Sequence, residues 1–476
     1  METSEPALTT TPEQSAMGQL HYKPALDLLR DFRRKALSPV DVVTSVLQRV
    51  EAVNPRVNAL FFVDAERALS AARDSEERWR RGEPCGPLDG IPVTLKDHIP
   101  AKGTPSYFGT LAINESDALA TTDAPVTARL QESGAIIIGK TTMPDFGMIA
   151  SGNSSRHGIT RNPWDLARNS GGSSSGAGAA LAAGFGPLAI GTDIGGSVRI
   201  PSAFCGTFAL KGSYGRVPCH DPAPWLVTGA MTRTVADAAL MMNVIARSDR
   251  RDYTALPFDD CDYLAGIDRG VSGLRIGCLE NIGFGLPVDP QIRDTLIAAA
   301  RRLESMGAIV QPLPPLFDQD PEPDFDRYVH VGSYLGFSRL GPRQQQSVLP
   351  VIAEWCRKTN EGSVLDLMQT MVNLKTIRQR VLAPFEHWDY ILSPTMAVLP
   401  YQADLPWPPG GTAHNPFCFP FNMSEQPAAS INGGFSREGL PIGLQIVGRR
   451  YDDRGVLRVA HALEQAIAHE RRLPSL

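Results

Sequence analysis

Residues 162–201 read NPWDLARNSGGSSSGAGAALAAGFGPLAIGTDIGGSVRIP. The apolar run at 187–192 predicts a buried strand. Just beyond it, Gly195 and Gly196 precede Ser197. Two glycines allow a tight backbone bend that directs N–H groups at one point, as in an oxyanion hole beside a serine nucleophile. Taken alone, the motif is equally typical of a glycine-rich turn with an exposed serine.

The segments on either side alternate between strand and helix patterns. Short apolar runs alternate with longer segments of helical periodicity. Strands are predicted at 91–95, 135–139, 274–278, 308–311, 390–393 and 443–447, and helices at 64–81, 123–133, 174–183, 235–246 and 291–306. Residues 312–385 are predicted to be helical. The sequence therefore predicts an α/β fold, with one large mixed β-sheet covered on both faces by helices and with a helical variable region.

Residues 134–141, GAIIIGKT, fit the phosphate-binding pattern GxxxxGK[ST]. That pattern needs a flexible loop between its glycines, so that backbone N–H groups can surround a phosphate. Here the intervening residues are Ala135 and three isoleucines, which favour a buried strand. No nucleotide site is predicted.

Residues 172–176, GSSSG, fit the nucleophile elbow GxSxG, with Ser174 as its serine. An elbow should follow a strand and begin a helix. A helix is predicted after it, but residues 162–170 before it predict a loop. No later acid and histidine stand out as partners, and the elbow remains an alternative.

Composition and charge limit the class of protein. Hydrophobic residues make up 42% and charged residues 20% of the chain, as in ordinary globular proteins. The net charge of −5 offers no basic excess for nucleic acid or an anionic membrane. The cysteines form no CxxC pair and the histidines no HExxH motif, so neither a disulfide framework nor a metal site is expected. The sequence predicts a cytoplasmic enzyme without a membrane span.

Two serine motifs together resemble the amidase signature family. Gly-Gly-Ser-Ser at 171–174 is followed by Gly-Gly-Ser-Val-Arg at 195–199, and a strand ending in Lys96-Asp97 lies upstream. Asn-Pro-Trp-Asp at 162–165 and Gly-Leu-Pro-Ile-Gly-Leu-Gln at 439–445 extend the likeness. It covers about residues 60–250 and 390–450. The sequence departs from the family's usual pattern at four positions, Asp145, Ser170, Ser175 and Ser424. None of them is Lys96, Ser173 or Ser197, the residues that would carry out the chemistry.

The resemblance implies a Ser-Ser-Lys triad. Ser197 would be the nucleophile and Lys96 would be the base. Ser173 would lie between them and pass protons in both directions, and the peptide bond that precedes Ser173 would be cis. A lysine can be a base only when neutral, and burial at a strand end lowers its pKa. The backbone N–H groups of Ile194, Gly195, Gly196 and Ser197 would form the oxyanion hole. Ser174, Asp193 and Arg199 would support the glycine loops.

The resemblance also places Gly147, Met148 and Ile149 beside the catalytic serines. The loop at 221–226 offers Trp225 as a flap over the site. None of these residues is charged, so an apolar acyl pocket is predicted. No metal or organic cofactor is implied.

Hydrolysis of the C–N bond of neutral aryl or alkyl amides, including anilides, is the favoured function. Carbamate or ester hydrolysis on the same machinery is the alternative. The glutaminase subunit of a tRNA-dependent amidotransferase is less favoured, because Ile149-Ala150 stand where that subunit shows Gly-Ser. A binding protein with a dead site is disfavoured by the intact triad.

Four segments are predicted within one large domain. They are a tail with covering helices at 1–60, the catalytic core at 61–250, the variable helical substrate-side region at 251–390, and a return to the core sheet at 391–476. The expected partner is a small amide or carbamate. Monomer and homodimer both remain open.

Overall fold

A computed structural model describes residues 20–358, 362–411, 415–468 and 472–476. Residues 1–19 of the predicted tail lie outside this part of the chain. Strands that belong to a single sheet come from both sides of the 251–390 segment.

Within the described residues, eleven strands form one mixed sheet in the order β1-β3-β2-β8-β10-β9-β14-β15-β13-β11-β12, and four short strands form two hairpins. Their bounds are β1 Leu60–Val63, β2 Pro92–Lys96, β3 Ile136–Thr141, β4 Asn153–Ser154, β5 Gly158–Ile159, β6 Arg161–Asn162, β7 Asp165–Asn169, β8 Leu188–Asp193, β9 Phe208–Lys211, β10 Val227–Thr232, β11 Arg275–Cys278, β12 Ile309–Pro312, β13 Tyr390–Pro394, β14 Ala428–Phe435 and β15 Pro441–Gly448.

The α-helices precede, connect and follow these strands. Their bounds are α1 Ala25–Arg33, α2 Pro39–Val57, α3 Ala65–Arg81, α4 Glu115–Ala118, α5 Pro125–Glu132, α6 Ser175–Ala183, α7 Arg199–Cys205, α8 Val235–Ile245, α9 Pro290–Ser305, α10 Glu322–Ser338, α11 Pro342–Ser347, α12 Pro350–Lys358, α13 Val364–Leu382, α14 Phe419–Met423 and α15 Asp453–Ala466. The part of the chain that the structure describes also contains three 3-10 turns, at Leu20–Tyr22, Asp145–Gly147 and Ala383–Glu386.

Helices cover both faces of the sheet, as predicted. Successive side chains of a strand point to opposite faces. In β8, Leu188 and Ile190 pack in the core that contains α8, whereas Ala189 packs with Ala177 and Leu181 of α6. The small residues of α6 let this helix lie close against the sheet: a Cβ at Gly176 would come within 2.3 Å of the Ala59 carbonyl oxygen.

The centre of the sheet brings two strand ends together. Strands β2 and β8 are parallel neighbours, with Val93 beside Leu188 and Leu95 beside Ile190. The carboxyl ends of parallel neighbours meet at the same edge of a sheet. Lys96 at the end of β2 therefore lies next to Thr192 near the end of β8.

Two local predictions have clear outcomes. Residues 134–141 contribute strand β3, and the Lys140 amine is buried against the carbonyl oxygens of Asp97 and Ile99, both at 2.7 Å. The loop predicted at 162–170 is wrong, because β6 and β7 pair as a short hairpin. The Asn162 amide fixes this hairpin by donating to the carbonyl oxygens of Asn169 and Phe204. In the described part of the chain, no helix combines the length and apolar character needed to cross a membrane.

Candidate active site

Lys96 lines a cavity and is buried, with 1% of the residue's area exposed. Its amine donates to Ser173 Oγ at 2.8 Å and to Thr192 Oγ1 at 3.1 Å. Burial lowers the pKa of Lys96 to about 7, against the opposing charges of Asp193 and Asp97. A substantial fraction of the amine is therefore neutral near pH 7, which is the protonation state that a base requires.

Ser173 lies in the turn between β7 and α6, and the peptide bond that precedes it is cis. The turn fits only because it is built from glycine: a Cβ at Gly172 would come within 2.5 Å of the Ser151 carbonyl oxygen. Gly147, with φ of +71°, faces the serine, and a Cβ there would lie 3.2 Å from Ser173 Oγ. Lys96, Ser173 and Gly147 are thus brought together.

Ser197 lies in the loop between β8 and α7 and lines the same cavity as Ser173 and Lys96. The two serine loops are joined, because the Ser174 N–H donates to the Ser197 carbonyl oxygen at 3.0 Å. Ser197 itself is half-buried. Its position allows it to meet a molecule in the cavity.

Asp193 shapes the loop that carries Ser197. Its carboxylate accepts the N–H of Gly196 at 2.8 Å and that of Val198 at 3.2 Å. The Gly196 N–H is therefore directed at Asp193 in this structure, and its place in the oxyanion hole stays a prediction. A side-chain acceptor folded back on its own loop leaves no signal in a glycine motif. The N–H groups of Ile194, Gly195 and Ser197 are the other oxyanion candidates.

Arg199 forms a fully buried ion pair with Asp193, with two nitrogens at 2.9 and 3.0 Å from the carboxylate. Its guanidinium also donates to Asn422 Oδ1, Gln445 Oε1 and the Cys418 carbonyl oxygen. Burial by itself would raise the pKa of Asp193, but the Arg199 charge overrides it and holds that pKa far below its ordinary value. Both groups are therefore ionised and hold the loop in place.

Ser174 is fully buried, and its hydroxyl is occupied by the backbone of β8. It donates to the Thr192 carbonyl oxygen and accepts the Thr192 N–H, both at 3.3 Å. A Cβ at Gly191 would come within 2.5 Å of this hydroxyl. Ser174 is thus packed into the sheet edge, and the nucleophile-elbow alternative is wrong.

The cavity above these residues has a volume of about 760 Å³. Gly147, Met148 and Ile149 line it, and Met148 and Ile149 pack against the helical region through Phe337. Trp225 does not line the cavity. Its φ of +64° accompanies packing of the indole on Tyr328, with ring centroids 4.7 Å apart, while its neighbours Pro224 and Leu226 form part of the wall.

Sequence reasoning missed two carboxyl groups in the cavity wall. Glu322 and Asp326 are one turn apart on α10, and both line the cavity. Burial, with Asp326 and Asp320 nearby, raises the pKa of Glu322 to about 8. Burial and Asp320 raise the pKa of Asp326 to about 7. Their spacing of four residues at the start of a helix was visible, but nothing in the sequence tied that helix to the site.

His98 was also missed, although it lies two residues after Lys96. Its Nε2 is 3.3 Å from Thr192 Oγ1, and its ring lines the cavity. Across the described residues, no group of three or more His, Cys, Asp and Glu side chains could hold a metal ion.

Comparisons with known proteins bear on the family of the chain. The model of the Amidase family matches residues 41–457 of this chain. An acylamidase of Rhodococcus erythropolis is 33% identical over 94% of this chain and 95% of its own length. The A subunit of a glutamyl-tRNA(Gln) amidotransferase from Alkaliphilus metalliredigens is 32% identical over 94% of this chain and 97% of its own.

Among solved structures, a bacterial aryl acylamidase of the amidase signature enzymes superposes with a TM-score of 0.87. It is 29% identical, and the match covers 94% of this chain and 96% of that one. The family match and the full-length relatives lead to one conclusion: the chain belongs to the amidase signature family of amide hydrolases.

Proposed function

We propose that this chain hydrolyses apolar aryl and alkyl amides through a serine acyl-enzyme. The observation that carries the proposal is the buried Lys96 amine, 2.8 Å from Ser173 Oγ, where both residues line a largely apolar cavity. A neutral amine in contact with a serine can accept its proton, and a serine becomes a nucleophile only when a base removes its proton.

In the proposed first step, Ser197 Oγ attacks the substrate carbonyl carbon. The Ser197 proton passes to Ser173 while the Ser173 proton passes to Lys96. The N–H groups of Ile194, Gly195 and Ser197 stabilise the negative oxygen that forms. Fixed donors of this kind need no reorganisation during the reaction, which is why they stabilise the transition state.

In the second step, the Lys96 ammonium returns its proton through Ser173 to the leaving nitrogen. The C–N bond breaks and the amine departs, leaving the acyl group on Ser197. Water then attacks the ester, and the same relay accepts the proton of the water and returns it to Ser197. Atoms and charges balance without a cofactor.

The charges of the cavity wall disfavour glutamine, which the amidotransferase subunits use. Among the described lining residues, the basic side chains are Lys96, His98 and His220, and there is no arginine. The carboxylate of free glutamine would find no arginine to pair with among these residues, and the carboxyl groups of Glu322 and Asp326 become repulsive charges once they ionise. Burying an unpaired charge costs several kcal/mol.

The same wall favours apolar groups. Phe146, Phe337, Trp355 and Trp407 line it. An aryl group that packs against them gains about 25 cal/mol for each Å² of apolar area removed from water. The resemblance to an acylamidase and to an aryl acylamidase supports the same substrate class.

Steady-state kinetics on four compounds test the proposal: a neutral anilide, an aryl ester, an aryl carbamate and glutamine. We expect the anilide to be turned over with a kcat/KM at least about a hundredfold above that for glutamine, since one unpaired charge costs at least about 2.7 kcal/mol. Ser197→Ala should abolish turnover of all four, and a sulfonyl fluoride should add once, on the peptide containing Ser197. A kcat/KM for glutamine above that for the anilide would contradict the proposed substrate class. A kcat/KM for the carbamate above that for the anilide would identify carbamates, and not amides, as the preferred substrates. An adduct on another serine would contradict the mechanism.

A further inference from the structure

The lysine amine has a second hydroxyl partner that the proposed proton relay does not use. Lys96 Nζ lies 3.1 Å from Thr192 Oγ1, and Thr192 Oγ1 lies 3.3 Å from His98 Nε2. The hydrogen bonds therefore continue from Ser173 through Lys96 and Thr192 to His98. The histidine ring is half-buried at the cavity wall.

The direction of these hydrogen bonds decides whether Lys96 can act as a base. A neutral amine has two N–H donors and one lone pair, and a hydroxyl has one donor. If the Thr192 O–H donates to Lys96, it occupies the lone pair that must receive the Ser173 proton. If Thr192 accepts from Lys96, the lone pair remains available to Ser173. The Thr192 O–H then needs an acceptor elsewhere.

His98 Nε2 supplies that acceptor when the ring is neutral and carries its proton on Nδ1. Nδ1 lies 3.3 Å from the sulfur of Met143, a weak acceptor. Burial, followed by the charges of Lys96, Lys140 and His220, lowers the pKa of His98 well below its ordinary value. The ring is therefore neutral wherever Lys96 can be neutral.

We propose that His98 is a positioning residue, which accepts the Thr192 hydroxyl proton and so reserves the Lys96 lone pair for Ser173. The proposal rests on the proposed function, because it assigns a role within that proton relay. It concerns a side chain that no serine motif contains. It also gives the hydroxyl of Thr192 a fixed direction.

A role in packing is the competing explanation, since the His98 ring also contacts Phe108, with centroids 5.7 Å apart. Two substitutions separate the roles. His98→Phe keeps an aromatic ring and loses the acceptor, whereas His98→Gln loses the ring and keeps an acceptor oxygen at a similar reach. Should the phenylalanine variant fail to fold, His98→Leu also removes the acceptor.

Two readouts are measured: the rate at which phenylmethylsulfonyl fluoride modifies Ser197, followed by intact mass, and kcat and KM for a neutral anilide. We expect His98→Phe to lower the modification rate and kcat about tenfold, part of the 10²- to 10⁴-fold that general base catalysis contributes. KM should stay within about twofold, and His98→Gln should keep most of the native rate. In a Thr192→Val background, His98→Phe should cause no further loss, because the two residues act as one unit.

Three results would overturn the proposal. The first is that His98→Phe keeps the native modification rate and kcat while His98→Gln loses them. The others are an effect of His98→Phe on KM alone, and an effect of His98→Phe that is as large in the Thr192→Val background as in the native protein. The modification readout separates this inference from the proposed function. If native Ser197 is not modified, the proposed mechanism fails. If it is modified and His98→Phe reacts at the native rate, only the role of His98 fails.

Discussion

At the scale of single residues, burial decides what Lys96 can do. Nearby carboxylates would keep its amine protonated, but they are engaged elsewhere. Asp97 accepts the N–H groups of Tyr107 and Gly109, at 2.6 and 2.7 Å, and Asp193 is paired with Arg199. The contacts that remain to the amine are hydroxyl groups. Desolvation therefore dominates and lowers the pKa of Lys96 to about 7.

The first prediction is that kcat/KM for a neutral anilide rises with pH through about 7 and then levels off. The lowered pKa of Lys96 means that the amine is protonated below this pH and neutral, hence active, above it. A pH–rate profile measures this, and a chelator should leave the rate unchanged. Because Glu322 and Asp326 titrate in the same range, the profile is repeated with Glu322→Gln/Asp326→Asn, which should keep the rise. If kcat/KM no longer rises with pH in that variant, the titrating groups are the carboxyls of α10 and not Lys96.

The second prediction is that Lys96→Ala damages amide hydrolysis more than ester hydrolysis. Both substrates need Ser197 to lose a proton, but only the amine must gain one as it leaves. We expect the loss in kcat/KM for an anilide to exceed that for the matched aryl ester at least about tenfold, a fraction of the 10²- to 10⁴-fold of one proton transfer. Matched acyl groups make the comparison direct. Equal losses would remove Lys96 from proton delivery to the leaving group.

At the scale of secondary-structure elements, α10 links the helical region to the chemistry. Phe325 stacks on Phe419, with ring centroids 4.5 Å apart, and its ring would lie 3.4 Å from a Cβ at Gly195 in the serine loop. The helix turn that carries Phe325 also presents Glu322 and Asp326 to the cavity. One helix therefore supports the loop and sets the charge above it.

The third prediction is that this charge changes substrate preference with pH. At pH 6 both carboxyls of α10 are largely protonated, and at pH 9 both are ionised, because their pKa values are raised to about 8 and 7. The kcat/KM ratio of a neutral anilide to a carboxylate-bearing analogue should rise by at least roughly tenfold between these pH values. Each of the two added charges gives an effect of about tenfold at about 10 Å and an effective dielectric of about 20. The loss of base catalysis on protonation of Lys96 affects both substrates and cancels in the ratio. The charge of Lys96 acts on the carboxylate-bearing substrate alone, so the share due to α10 is the part of the rise that the double variant removes.

Glu322→Gln/Asp326→Asn should reduce the rise of that ratio with pH. Asp294→Asn is the control, since Asp294 is exposed on α9 and does not line the cavity. Asp221 and His220 also line the cavity and are the same in the native protein and both variants. If the ratio rises as steeply with pH in the double variant as in the native protein, α10 does not set the preference.

The elements also show where sequence reasoning succeeds and where it ends. The ends of β2 and β8 could be predicted because apolar runs stop at Lys96 and before the second glycine pair, and because parallel neighbours bring such ends together. Glu322, Asp326 and His98 could not be assigned, because their meaning depends on contacts between segments that no local pattern specifies. The hydrogen bond from the Gly196 N–H to Asp193 is a tertiary detail of the same kind.

At the scale of the whole molecule, the serine loop is fixed by the last part of the chain. Arg199 and Asp193 come from α7 and β8, whereas Asn422 belongs to α14 and Gln445 to β15. The Asn422 amide also donates to the Asp193 carbonyl oxygen at 3.1 Å. Residues more than two hundred positions apart thus close around one buried charge pair. The loop conformation therefore depends on the complete sheet.

The last prediction concerns this pair. Arg199→Ala should remove about 3–5 kcal/mol of unfolding free energy, because it leaves the Asp193 carboxylate buried without its counter-charge. Arg199→Met combined with Asp193→Asn removes both charges, while the asparagine oxygen can still accept the Gly196 N–H. Replacing a whole buried ion pair costs far less than breaking one, so the double variant should melt at a higher temperature than Arg199→Ala. Calorimetric melting of the native protein, Arg199→Ala, Arg199→Met, Asp193→Asn and the double variant measures the order. If the losses of Arg199→Met and Asp193→Asn simply add in the double variant, the pair does not act as a unit and the carboxylate is not stabilised by the guanidinium.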